Sequence, residues 1–167
     1  MSEPHVVTVK EIAQNISKEI DRRERQLYTI KALLIERQEV LVAMCQLAEL
    51  ETQETSFTST LESLKIFSQA LVDYSALGHF EIYERIISGK ERRGNVKKVA
   101  TSVYPIISHT TGQFVEFNDK YDGADDEESL TDLYKDLSAI GESLADRSES
   151  EDRLLHEMKE AALSTYR

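Results

Sequence analysis

The chain has 167 residues and a formal net charge of −11, enough for one domain with a real core and too little for two well-packed ones. Thirty-one acids against 20 lysines and arginines argue against direct nucleic-acid binding, which draws its affinity from basic side chains on phosphates, and suit a basic protein partner instead. Six glycines and two prolines supply too little turn chemistry for a many-stranded sheet, and the longest apolar runs, such as ALLI at 32–35, fall far below the roughly 18 residues of a membrane span.

The start, MSEPHVVTVKEIAQ, lacks a basic region and an apolar run, so no secretory signal is expected and residues 1–8 are expected to be flexible. From 9 to 50 the apolar residues Val9, Ile12, Ile16, Ile20, Leu27, Ile30, Leu34, Leu41, Met44 and Leu47 fall at helical spacing. Thr8, with Glu11 three residues on, forms a capping-box pattern. The polar stretch IDRRERQ at 20–26 is the expected place for a break. The Thr- and Ser-rich segment 51–60 reads as a connection, with Thr58 or Ser59 as a cap.

A second helix is predicted over 61–87, with Leu64, Phe67, Leu71, Tyr74, Leu77, Phe80, Tyr83 and Ile87 on one stripe and Gly78 marking a kink or close packing. A third begins near Glu91 or Asn95 and runs to Tyr121, carrying Val96, Val99, Val103, Ile106, Ile107, Phe114 and Phe117; Pro105 should bend it. Asp122-Gly123 stops it. The fourth, over 127–163, carries Leu130, Leu133, Leu137, Ile140, Leu144, Leu154, Leu155 and Met158. Four helices with short connections predict an all-α, up-and-down antiparallel four-helix bundle, long and partly kinked, as one domain over 1–167. The long stripe on the first helix could also serve a homodimer.

Charge is uneven. From Asp119 to Asp152 there are 13 acids against three bases, and from Arg85 to Lys98 six bases against one acid; such runs ordinarily form solvated faces. The single cysteine, Cys45, precludes an internal disulfide and points to a cytoplasmic location. His5, His79, His109 and His156 have no cysteine or second histidine at ligand spacing, and no Glu-x-x-His pair exists, so no metal or cofactor is expected. His79, beside the stripe, reads as a packing residue. NDKYDGADDEES at 118–129 fails as a calcium loop, because Lys120 and Ser129 fall where carboxylates are required. No phosphate loop or hydrolase signature is present, and nothing asks for catalysis.

Within the second helix, LVDYSALGHFEIYERI (71–86) places Asp73 one residue before Tyr74, at the edge of the packed stripe. A carboxylate there can meet a partner's arginine or lysine or join a salt bridge inside the bundle. This string resembles the Rsd/AlgQ family through Leu71, Val72, Asp73, Tyr74, Gly78, His79, Phe80, Ile82, Tyr83 and Glu84. Val103-Tyr104-Pro105, DLSAIGESLADRSESEDRLL (136–155) and, more weakly, LLIERQEVLVAMCQL (33–47) are similar to further blocks of that family; Lys31, Ala32 and Leu33 stand where relatives often carry Asp-Arg-Trp.

The resemblance implies an anti-sigma factor, not an enzyme, that binds the C-terminal region of the primary sigma factor, with its helix-turn-helix, and keeps it from core polymerase and the −35 promoter element. It implies a partner surface at Asp73, Tyr74, His79, Phe80, Tyr83 and Glu84, with Asp73 at its centre. Some relatives bind the phosphotransferase carrier HPr, which makes an HPr-like protein a second expected partner and a signalling adaptor the alternative function.

Overall fold

Thr8 opens the longest helix. In the computed structural model, which describes residues 8–164, its side chain accepts from the Glu11 amide while the Glu11 carboxylate accepts from the Thr8 amide at 2.8 Å. This is the predicted capping box. Residues 1–7, and with them His5 and nearly all of the segment expected to be flexible, lie outside the described residues. The helix α1 then runs unbroken over Val9–Glu49, about 60 Å at 1.5 Å per residue. The break expected at 20–26 does not occur. Glu19 takes the guanidinium groups of both Arg22 and Arg23, three and four residues on, and Arg25 bonds the Asp21 carbonyl, so the polar stretch carries its own helical support.

Ser56, rather than Thr58 or Ser59, caps the next helix, because its hydroxyl accepts from the Ser59 amide. That helix, α2, spans Phe57–Gly78 and is followed without a loop by a π-helical turn, His79–Tyr83, and by a last turn α3, Glu84–Ile87. The helix α4, Gly94–Tyr121, contains Pro105 and continues through it. After Tyr121 a short 3-10 turn, Glu128–Leu130, precedes α5, Leu133–Leu163, so the fourth long helix starts later than the predicted 127. Among the described residues there is no strand.

α1 packs against α2 and α5, and α4 packs against α5 and α2, so the four long helices enclose one core. Phe67 of α2 meets Phe117 of α4 edge to face at 5.6 Å, a favoured aromatic geometry. Leu33, Val40, Leu47, Leu71, Val103, Leu133 and Leu144 are fully or almost fully buried beside them. The core-facing side of α1 is therefore Ile30, Leu33, Val40, Ala43 and Leu47, while the predicted stripe members Val9, Ile12, Ile16, Ile20, Leu27, Leu34 and Leu41 are exposed. For the members up to Leu27 the reason is reach: α1 begins well before the other helices arrive to cover it, and its side chains through Lys18 are all exposed. Leu34 and Leu41 each lie one residue, about 100°, past the buried Leu33 and Val40.

Gly78 is buried where α2, α1 and α5 come together. A Cβ there would lie 3.2 Å from Tyr83 Cε2, 3.6 Å from Arg147 Nη2 and 3.6 Å from Leu33 Cδ1. Substituting leucine is expected to destabilise by about 1–3 kcal/mol through overpacking, read as a lower urea midpoint at unchanged m-value. A Gly78→Leu variant as stable as the parent would disprove this close fit.

Candidate functional site

The π turn decides which residues of LVDYSALGHFEIYER face in and which face out. Tyr74 and Tyr83 are nine residues apart, which on a regular α-helix, at about 100° per residue, would put them on opposite sides. The wide turn His79–Tyr83 absorbs one extra residue and rotates the end of the helix, so that both tyrosines point into the core, 0% and 3% exposed. Phe80 and Ile87, predicted for the packed stripe, are instead 63% and 55% exposed; Phe80 stands nine residues after Leu71 and so falls opposite it on the helix.

Tyr74 and Tyr83 converge on Glu151 of α5, a carboxylate with no solvent exposure. Its Oε2 accepts from the Tyr74 hydroxyl and from Arg37 Nη2 at 3.2 Å, and its Oε1 from the Tyr83 hydroxyl at 3.1 Å and Arg147 Nε at 3.0 Å. Arg147, itself buried, donates through Nη1 to the Ile107 carbonyl and to the hydroxyls of Thr110 and Thr111 on α4. Its guanidinium lies 5.2 Å from the Tyr74 ring centre and 5.5 Å from that of Phe114, a cation–π arrangement. Arg37 of α1 extends the network outward to Asp152 at 2.6 Å. Burial, reinforced by the Glu151 charge, raises both tyrosine pKa values well above 10. One buried carboxylate thus ties α1, α2 and the π turn to α5, and through Arg147 to α4.

This network places Tyr74 and Tyr83, two of the residues expected to meet a partner, inside the bundle: their hydroxyls are occupied by Glu151 and their rings by Arg147. His79 departs from the packing role expected of it. It is exposed and stands edge-on to Phe80 at 5.0 Å between ring centres. Asp73, Phe80 and Glu84 are exposed as well. Ile66, Gln69, Asp73 and Phe80 follow one another along the outer side of the helix, and Gln69 Nε2 donates to Asp73 Oδ1 at 2.8 Å. Asp73 makes no salt bridge among the described residues, so the intrabundle ion pair weighed for it is not formed.

On α1 nearby, Glu36 has its carboxyl pKa raised by partial desolvation and by the charges of Glu39 and Asp73. The outcome is an acidic patch bordered by exposed apolar side chains, Ile66 and Phe80 the largest of them. Such a surface offers an exposed carboxylate, flanked by apolar side chains, to a cationic group on a partner.

Arg37, Arg147, Glu151 and Asp152 went unassigned in the sequence reading. Their signal was nonetheless present: Arg147 and Glu151 stand four residues apart in phase with Ile140, Leu144, Leu154 and Met158, so two charges interrupt an apolar stripe on its buried side. No three-residue group of His, Cys, Asp and Glu able to hold a metal exists among the described residues, and no helix among them is long and apolar enough to cross a membrane.

Residues 12–159 match the family described as regulator of RNA polymerase sigma(70) subunit, Rsd/AlgQ. The chain is 37% identical over 122 residues, 71% of its length and 73% of the relative's, to the regulator of sigma D of Yersinia enterocolitica serotype O:8. It is 34% identical over the same share of its length to the regulator of sigma D of Yersinia pseudotuberculosis serotype O:1b, covering 72% of that protein. It is 36% identical to that of Enterobacter sp. (strain 638), covering 73%. No solved structure matches the chain.

Proposed function

The chain belongs to the Rsd/AlgQ family of sigma-factor regulators, and on that premise we propose that it acts as an anti-sigma factor on the C-terminal region of the primary sigma factor. Binding there masks the determinants for core polymerase and promoter. We read the fold as an antiparallel up-and-down bundle, because Gln26 meets Met158 and Arg37 meets Asp152 between α1 and α5, while Ile107 meets Arg147 and Lys120 meets Asp136 between α4 and α5. In both pairs of helices, ascending numbers meet descending ones.

One observation carries the functional reading: Asp73 is exposed, unpaired by any cation among the described residues, and mounted on a helix whose inner face is fixed by the Glu151 network. A promoter-binding domain must be basic to meet DNA phosphates, so an exposed carboxylate in an acidic protein presents complementary charge. Phe80 and Ile66 supply apolar contact on either side, and Glu84 adds a further acid beyond the π turn. In this reading Tyr74 and Tyr83 position the surface from within, and contact is made by Asp73, His79, Phe80 and Glu84. The partner's place in transcription puts the protein in the cytoplasm.

Titrating the purified chain with the sigma C-terminal domain tests this. Asp73→Arg is expected to weaken binding by roughly 30-fold or more, as for a charged contact at the centre of an interface, with an unchanged helical circular dichroism spectrum. Raising the salt should weaken the parent's binding as well. Equal affinity of parent and variant, or no complex at all at tens of micromolar, would sink the proposal. An HPr-like carrier titrated in parallel distinguishes the adaptor reading, which requires binding to the carrier without binding to sigma.

A further inference from the structure

The strongest positive charge of this acidic chain is gathered around one pocket. Arg22 of α1, Arg85 of α3, and Lys90, Arg92 and Arg93 of the connection to α4 line a cavity of about 250 Å³ together with two acids, Glu81 and Glu91. Five cations line it against two carboxylates, and because Arg22 is paired with Glu19 outside it, an excess of two positive charges remains in a protein of net −11.

The connection that brings them together is closely held. Gly89, at φ 74°, turns the chain back, and the Lys90 and Glu91 amides bond the Arg85 carbonyl at 3.0 and 3.2 Å. Arg93 is committed to structure: Nε and Nη2 hold Glu91 at 2.7 Å each, and Nη1 holds Gln26 of α1, which in turn holds the Met158 carbonyl of α5. Although desolvation opposes it, the Glu91 carboxyl is kept below its usual pKa by these bonds and by the charges of Arg93 and Arg85, so the acid most nearly inside the pocket is already neutralised.

Arg85, Lys90 and Arg92 are exposed at its rim and make no ion pair among the described residues. An adjoining groove at the start of α4 shares Arg22 and Arg93 but is lined also by Glu19, Glu157 and Glu160, so the positive excess is confined to the first pocket.

We propose that this pocket binds a small anion carrying two adjacent phosphate groups. Guanidinium forks match phosphate oxygens two at a time, and a diphosphate concentrates charge into a volume of this size, whereas the carboxylates of an acidic peptide are spread along its chain. The pocket adjoins the far end of the Asp73 surface but shares none of its contact residues, and the proposal does not depend on sigma binding.

Calorimetric titration of the full chain at low ionic strength, with pyrophosphate, orthophosphate and a poly-glutamate peptide in turn, tests it. One pyrophosphate per chain is expected, bound about 10-fold or more tightly than orthophosphate, and the Lys90→Gln/Arg92→Gln double variant should lose about 10-fold in affinity while keeping its circular dichroism spectrum and thermal midpoint. These two side chains have no partner inside the fold, so their removal leaves the loop's own bonds in place. Equal, weak binding of both phosphates would overturn the proposal, as would an unaffected double variant. Capture of the poly-glutamate peptide in preference to pyrophosphate would also overturn it and make the pocket a protein-docking surface.

Discussion

Urea unfolding of a Glu151→Ala variant is expected to show a loss of about 3–5 kcal/mol relative to the parent, the range found when one partner of a buried charge pair is removed. Glu151 accepts from four donors, two of them guanidinium groups. Deleting its carboxylate strands Arg147, which is 1% exposed, as a buried cation without an anion, and deprives both tyrosine hydroxyls of their acceptor. Domains of ordinary size are stable by only about 5–15 kcal/mol, so this one side chain decides whether the bundle holds. Arg37 is affected less, because Asp152 still takes its Nη1 at 2.6 Å. The second half of the test removes both buried charges. A Glu151→Met/Arg147→Met pair should recover a substantial part of the loss, since the cost lies in the uncompensated charge rather than in the missing contact. A Glu151→Ala variant within about 1 kcal/mol of the parent would show that the network contributes little.

Alkaline pH should unfold the protein steeply. Tyr74 and Tyr83 have folded-state pKa values raised above 10, first by burial and then by the adjacent Glu151 carboxylate. Above pH 10 the unfolded chain releases these protons and the folded chain keeps them. The stabilisation is therefore complete below about pH 10 and is lost as the pH rises beyond it. Each tyrosine contributes a slope of about 1.4 kcal/mol per pH unit, so the pair gives roughly 2.7. Tyr121, raised in the same direction by burial and its bond to Asp136, adds to the trend. Denaturant midpoints measured between pH 8 and pH 11 check this: a plateau to about pH 10 and then a fall is expected, with the fall reduced in the Tyr74→Phe/Tyr83→Phe variant. A midpoint that stays level through pH 11 would contradict it.

Both predictions concern residues that the sequence presented as separate strings. LVDYSALGHFEIYER supplied Tyr74 and Tyr83, and DRSESED supplied Arg147, Glu151 and Asp152, but the contact between them joins positions 77 and 68 residues apart. Four long helices, the Thr8–Glu11 cap and the stop after Tyr121 were legible beforehand, because each follows from the spacing of apolar residues or from bonds within one turn. The core positions of α4 and α5 were legible for the same reason, except that Ile106, predicted with them, is 40% exposed while its neighbour Ile107 is buried.

Two things required neighbours. The first is the inner face of α1, where burial begins only at Ile30 and then follows Leu33, Val40, Ala43 and Leu47 rather than the predicted Leu34 and Leu41; with apolar residues at adjacent positions, periodicity alone does not show which of them another helix covers, or from where. The second is the phase of the helix after Gly78. At 3.6 residues per turn Tyr83 falls opposite Tyr74, and the π turn brings it into the core; Phe80, read from sequence as part of the packed stripe, stands opposite Leu71 and is exposed. That rephasing has no local signature, because it is held by what Tyr83 reaches: a carboxylate on α5 already shared with two arginines from α1 and α5. Local spacing makes helices legible, whereas the partner of a buried charge is settled only when distant segments pack, since the cost of burying it falls on the whole site at once.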